Sequence, residues 1–176
     1  GNYTDAALSA NRAVNQWKEL TVEHPETVRY ADGLATSQID AANVLRVAGR
    51  DPLDDYEVAV ATFQQLVELR PGIPRYRFNL ATALSGLAWT RNRLAETESA
   101  QESAVESANT LLFLSERFPE DIRFPLGEVS ARLVLAEILR DRGKFDLAAG
   151  VIEEASVRLS DENIPPESLQ SRERFG

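Results

Sequence analysis

An all-α chain, built as a solenoid of antiparallel helix pairs with about seven helices, is what the sequence predicts, on three observations. Three prolines stand in matching contexts: His24-Pro25-Glu26-Thr27-Val28-Arg29-Tyr30, Arg70-Pro71-Gly72-Ile73-Pro74-Arg75-Tyr76, and Phe118-Pro119-Glu120-Asp121-Ile122-Arg123-Phe124. Their spacings are 46 and 48 residues. Twelve residues beyond each aromatic stands an alanine (Ala42, Ala88, Ala136), and eight before each proline a bulky apolar residue (Trp17, Phe63, Leu111). Anchors that hold register three times mark a repeat array. Between them, apolar residues recur at three and four, as in Leu133, Ala136 and Leu139, which is the helical period, and no alternating run is long enough for a strand.

Each helix follows from this period and from the prolines and glycines that punctuate it. The spacing predicts helices near 5–23, 26–48, 54–69, 74–93, 98–117, 121–141 and 144–159. The first reads as the second member of a pair whose first helix is missing. Its apolar edge, with Val14, Trp17 and Leu20, then needs a cap or a neighbouring molecule, so self-association through 5–23 is one expected behaviour. The pairs are 26–69, 74–117 and 121–159. Ser99-Ala100-Gln101-Glu102 has the form of a capping box and fits equally well inside a longer helix. The domain is expected over 1–160. Residues 161–176 form a polar tail carrying Pro165-Pro166, with one short helix expected at 167–175.

Composition narrows the chemistry. The 176 residues are 43% hydrophobic and 27% charged, which excludes disorder by composition, and they carry a formal charge of −9. That charge argues against nucleic acid or an anionic membrane as the main partner. No cysteine is present and His24 is the single histidine, so thiol chemistry, thiolate metal sites and most histidine-based centres are absent from the expectation. Neither cofactor nor metal nor catalytic residue is predicted. The carboxylate-rich segments 51–57, 96–106 and 161–167 read as solvated helix starts, where negative charge is favourable. No stretch reaches the roughly 18 apolar residues of a membrane span, and no signal peptide is evident, so a cytoplasmic location is expected. A start at Gly1 with no methionine reads as the cut end of a longer protein.

Leu135-Ala136, Leu139, Gly143, Phe145, Ala148, Ile152 and Ala155 reproduce at matching spacings the signature of the tetratricopeptide repeat (TPR). Ala41-Ala42, Leu45, Gly49, Ala59, Phe63, Leu66 and Pro71 fit the same frame, as do Leu87-Ala88, Ser107, Leu111, Leu114 and Pro119, although the third copy has Ala95 where the turn glycine belongs. The usual TPR period is about 34 residues. Here the first helix of each pair is seven residues longer, nearly two turns, which keeps its faces in phase, and the connection between the helices takes up the rest. With Pro71, Pro74, Tyr76, Arg77, Leu80 and Ala81 opening one helix and Gly49-Arg50 closing another, the chain resembles the long-helix TPR arrays appended to large bacterial serine/threonine protein kinases. The resemblance covers about residues 5–160. It implies a right-handed solenoid that acts as a scaffold of a signalling protein; the chain has no glycine-rich phosphate loop, no His-Arg-Asp and no Asp-Phe-Gly.

The resemblance also implies a binding groove. In TPR proteins positions two, five, nine and twelve of the first helix of each pair meet the ligand. These fall on Thr36, Ile39, Asn43 and Arg46; on Thr82, Ser85, Trp89 and Asn92; and on Ser130, Leu133, Glu137 and Arg140. Seven residues before each set stand Arg29, Arg75 and Arg123, an arginine row on the same face within the drift of roughly 20° per heptad. Guanidinium forks suit carboxylates and phosphates, so the expected partner is a protein or peptide segment, with an acidic one in view. A second reading stays open: each arginine lies in the first turn of its helix and can pair with nearby Glu26 or Asp121, or bond the last carbonyls of the preceding helix. Asn43 matches the asparagine of clamp-type TPR domains, whereas Ile39 replaces the companion lysine. Trp89 sits where no bulky residue is required, for partner contact or for burial under the connection at 94–100.

Overall fold

The computed structural model describes residues 3–160; the tail 161–176 and the short helix expected at 167–175 lie outside them. The seven helices are α1 (Tyr3–Glu23), α2 (Val28–Val47), α3 (Leu53–Leu69), α4 (Pro74–Arg93), α5 (Thr97–Arg117), α6 (Arg123–Asp141) and α7 (Phe145–Ser160). They start and stop within two residues of the spans read from the sequence. No strand occurs among the described residues.

Two kinds of joint alternate. The α1–α2, α3–α4 and α5–α6 turns repeat one hydrogen-bond pattern around the residue before each proline. The N–H groups of His24, Arg70 and Phe118 donate to Leu20, Leu66 and Leu114, and their carbonyls accept from Thr27, Ile73 and Asp121. Proline follows because it has no N–H to continue the ladder. The α2–α3, α4–α5 and α6–α7 joints instead close on a left-handed residue, Gly49 (φ 69°), Ala95 (φ 64°) and Gly143 (φ 71°). In each, the next residue's N–H reaches five back, from Arg50 to Leu45, Glu96 to Arg91 and Lys144 to Leu139. This is the Schellman closure that glycine favours. Ala95 adopts it against a penalty of roughly 1 kcal/mol. The missing glycine in the copy that carries Ala95 therefore alters the energy of that turn while its geometry stays the same. Nearby, α5 begins two residues before Ser99, whose Oγ bonds the Glu96 carbonyl, so the Ser99–Glu102 stretch lies inside the helix and caps nothing.

Each helix packs on its neighbours in sequence, and α4 also touches α2 and α6. The even-numbered helices thus form one layer. Among the described residues the odd-numbered helices make no comparable contact with one another. The largest core cluster joins α2, α3 and α4 through Ile39, Tyr56, Phe63, Tyr76, Leu80 and Leu84. The recurring alanines Ala42, Ala88 and Ala136 are all buried, allowing close helix approach. Phe63 and Leu111, equivalent residues of α3 and α5, are 0% and 2% exposed because α4 and α6 cover them, but their counterpart Ile152 on α7 is 47% exposed. At the other end Val14, Trp17 and Leu20 are half-buried. Trp17 lies where a Cβ on Gly33 would stand. Leu8 and Val22 of α1 are large apolar residues left exposed.

A buried charge ties the last pairs together. Glu128 is 0% exposed, accepts from Ser115 Oγ of α5 at 2.8 Å and from Arg132 at 3.0 Å, and lies 3.5 Å from Arg158 of α7. Three partners from three helices compensate its desolvation.

Candidate functional site

The even-numbered layer carries a cleft of about 250 Å³. Six of the residues placed in the groove from sequence line it: Asn43 and Arg46 from α2, Thr82, Ser85 and Trp89 from α4, and Ser130 from α6. Helical spacing explains why α4 supplies three. Positions 82, 85 and 89 are three and four apart and so share one face. The lining is mostly small or polar, with hydroxyls from Thr82, Ser85 and Ser130, the Asn43 amide and the glycines Gly86 and Gly127.

Tyr56 of α3 forms the end wall. Its hydroxyl donates to Asn43 Oδ1 at 2.8 Å, leaving the Asn43 N–H donors for an occupant. The ring sits where a side chain at position 86 would be, since a Cβ on Gly86 would come within 2.3 Å of it. Burial pushes the Tyr56 phenol above its ordinary range, and the Arg46 charge draws it part of the way back. The phenol therefore remains a neutral donor through the physiological range.

Trp89 connects this cleft to a second cavity of about 440 Å³ at the C-terminal ends of α2 and α4. Arg46 and Arg93 both stack on the indole, their guanidinium carbons 5.2 and 5.1 Å from its centre. Arg50, Asp51 and Leu94 complete that cavity. Trp89 is half-buried, so it is neither a free platform nor sealed under the connection at 94–100.

The remaining expected groove residues lie elsewhere. The arginine row stands at the opposite ends of the helices: Arg75 and Trp89 are fourteen residues apart, about 21 Å along α4. Arg75 pairs with the buried Asp32 of α2. Arg123 binds Asp121 through two N–H groups at 2.9 and 2.6 Å, as the ion-pair reading anticipated. Both line a different cavity beside Phe118 at the proline turns. Arg29 is exposed at the start of α2. Thr36 turns its hydroxyl into a buried position without a hydrogen-bond partner, and Ile39 is core. Asn92 donates to Asp141 at 2.8 Å, Arg140 binds the same carboxylate at 2.9 Å, and Glu137 lies 4.0 Å from Arg140. Bonds from Arg140 and then Asn92 hold the Asp141 carboxyl below the usual range. Leu133 is half exposed.

Tyr56, Arg50 and Arg93 are among the lining residues that sequence reasoning missed. Arg93 is one turn beyond Trp89 on the same face, so the i, i+4 rule would have found it. Tyr56 carried no such signal, being on the second helix of its pair. No helix among the described residues is long and apolar enough to cross a membrane. What the fold and the cleft define is an all-helical set of described residues with a polar, tryptophan-based recess. Comparison with protein-family models, curated proteins and solved structures finds no match.

Proposed function

We propose that this chain is a non-catalytic interaction scaffold, a TPR-like right-handed solenoid that binds an extended peptide segment of a protein partner in the cleft between α2, α4 and α6. The observation that carries the reading is the convergence of Asn43, Arg46, Thr82, Ser85, Trp89 and Ser130 on one recess, from the three helices α2, α4 and α6. Contact among the even-numbered helices, without matching contact among the odd-numbered ones, supports a stack that curves toward the cleft. Donors and hydroxyls suit a peptide backbone, and a half-buried tryptophan is a frequent energetic anchor. On this reading the chain serves a larger bacterial signalling protein, such as a serine/threonine kinase, in the cytoplasm.

A random peptide library displayed against the immobilised protein tests this. Selected peptides should lose at least tenfold in affinity on Ser85→Arg, which fills the recess, with helicity unchanged by circular dichroism. Affinity unaffected by Ser85→Arg overturns the assignment.

A second reading is structural self-association or docking within the parent chain. It is favoured by the uncovered faces of α1 (Leu8, Val22) and α7 (Phe145, Ile152, Leu159). Sedimentation across a dilution series decides it: a monomer at every concentration removes self-association.

A further inference from the structure

The two cavities that meet at Trp89 differ in charge. The inner cleft is polar and contains one guanidinium, Arg46. Around the outer one stand Arg46, Arg50 and Arg93 against the single carboxylate of Asp51, a net of two positive charges in a chain whose formal charge is −9. Asp51 is already engaged, accepting the Leu53 N–H at 2.9 Å where α3 begins. Among the described residues no carboxylate pairs with Arg46, Arg50 or Arg93. The contact matters here because a guanidinium held over an aromatic face has not given its charge to a carboxylate and keeps N–H donors for an anion. Two guanidiniums are thereby held over one indole with no carboxylate partner among the described residues, Arg46 also bonding toward the Tyr56 phenol, at the mouth of a recess lined by hydroxyls and an amide.

We infer that the outer cavity is a phosphoryl-binding subsite, and that the segment the cleft accepts carries a phosphorylated serine or threonine seated between Arg46, Arg50 and Arg93. This rests on the peptide-binding reading above and adds the chemistry of the anchor. Two charges decide between the available anions. A phosphate monoester bears about −1.5 to −2 at neutral pH and offers three acceptor oxygens, enough for two arginine forks at once. A side-chain carboxylate bears one charge and two oxygens, so it satisfies one fork and leaves the other arginines uncompensated. The hydroxyl-lined cleft then takes the residues on one side of the phosphorylated position.

The probes are N-acetyl-phosphoserine amide, N-acetyl-aspartate amide and dimethyl phosphate, titrated into the 15N-labelled 176-residue protein while the Trp89 indole N–H is followed. That signal is assigned by its loss in Trp89→Phe. The phosphoserine probe should give a saturable shift at least fivefold tighter than the aspartate probe, and the singly charged diester should bind no better than aspartate. Arg93→Gln and Arg50→Gln should each weaken the phosphoserine probe at least threefold, while Arg29→Gln, at the far end of α2, leaves it unchanged. Equal affinity for phosphoserine and aspartate overturns the inference, as does a phosphoserine response indifferent to Arg93→Gln or the absence of any saturable shift. These failures are separable from failure of the peptide reading, which is judged by Ser85→Arg on selected peptides. Selected peptides that bind through the recess while the probes show no phosphoryl preference remove the subsite alone.

Discussion

The two ends of the even-numbered helices carry the same residue type in opposite circumstances. At their starts, Arg75 is tied to Asp32 and Arg123 to Asp121. At the finish of α2 and α4, Arg46 and Arg93 rest on the Trp89 indole and pair with no carboxylate among the described residues. An arginine that meets a carboxylate in the same fold has its fork occupied, whereas one that meets an aromatic face keeps its fork for something else. Availability to a partner is thus a property of the surroundings: the regularly recurring Arg75 and Arg123 are engaged, as is Arg140 at the finish of α6, while Arg46 and Arg93 meet no carboxylate among the described residues.

Gly86→Ala is the severest way to break this arrangement at the finishing end. The new Cβ would overlap the Tyr56 ring, so Tyr56 must move, with an expected loss of roughly 2–3 kcal/mol in urea denaturation. It should also release Asn43 and perturb the Trp89 indole signal. At the starting end, Arg75→Ala leaves the 6%-exposed Asp32 carboxylate unpaired. Because Arg75 itself is about half exposed, the expected loss is about 1–2 kcal/mol, with peptide affinity unchanged. Ala95→Gly relieves the left-handed alanine beside Leu94 and should stabilise by roughly 0.5–1 kcal/mol, raising the denaturation midpoint. Arg93→Gln sharpens the contrast with Arg75: stability should stay within about 0.5 kcal/mol, while binding at Trp89 weakens.

The smallest effect is a titration. Asp141 is held in its charged form by Arg140 and Asn92, so its stabilising contribution is present above the usual carboxylate value and is lost as pH falls through the depressed one. Asn92→Ala should move the Asp141 pKa upward, toward the ordinary range, in an NMR titration. An unmoved Asp141 would show Asn92 to be free for a ligand after all.

Much of the fold was legible because it is written locally. Helix spans follow from apolar residues three and four apart, and the joints from prolines and glycines that act on their own backbone. The residues of the inner cleft were named through the resemblance to TPR arrays, which places groove positions at 36, 39, 43 and 46 and again at 82, 85, 89 and 92. Even there the prediction was uneven. Thr36 turned inward, Ile39 joined the core, and Asn92 was absorbed by Asp141, each through a neighbour distant in sequence. Ala95 was illegible in another way. An alanine has no preference for the left-handed turn, and it enters one because the helices on either side require the same closure that Gly49 and Gly143 provide.

By itself, then, the sequence determined the seven helices of the described residues, their approximate lengths and the 46- and 48-residue period. These depend on interactions within four or five residues, which any window of the chain contains. Only the tertiary structure decided which charges are spent and which remain. Asp32 reaches Arg75 across 43 residues, Tyr56 fills the space above Gly86, and Arg46 and Arg93 come from different helices to one indole. A charge is neutralised by whatever lies within a few ångströms of it, and at that range packing, not sequence distance, chooses the neighbours.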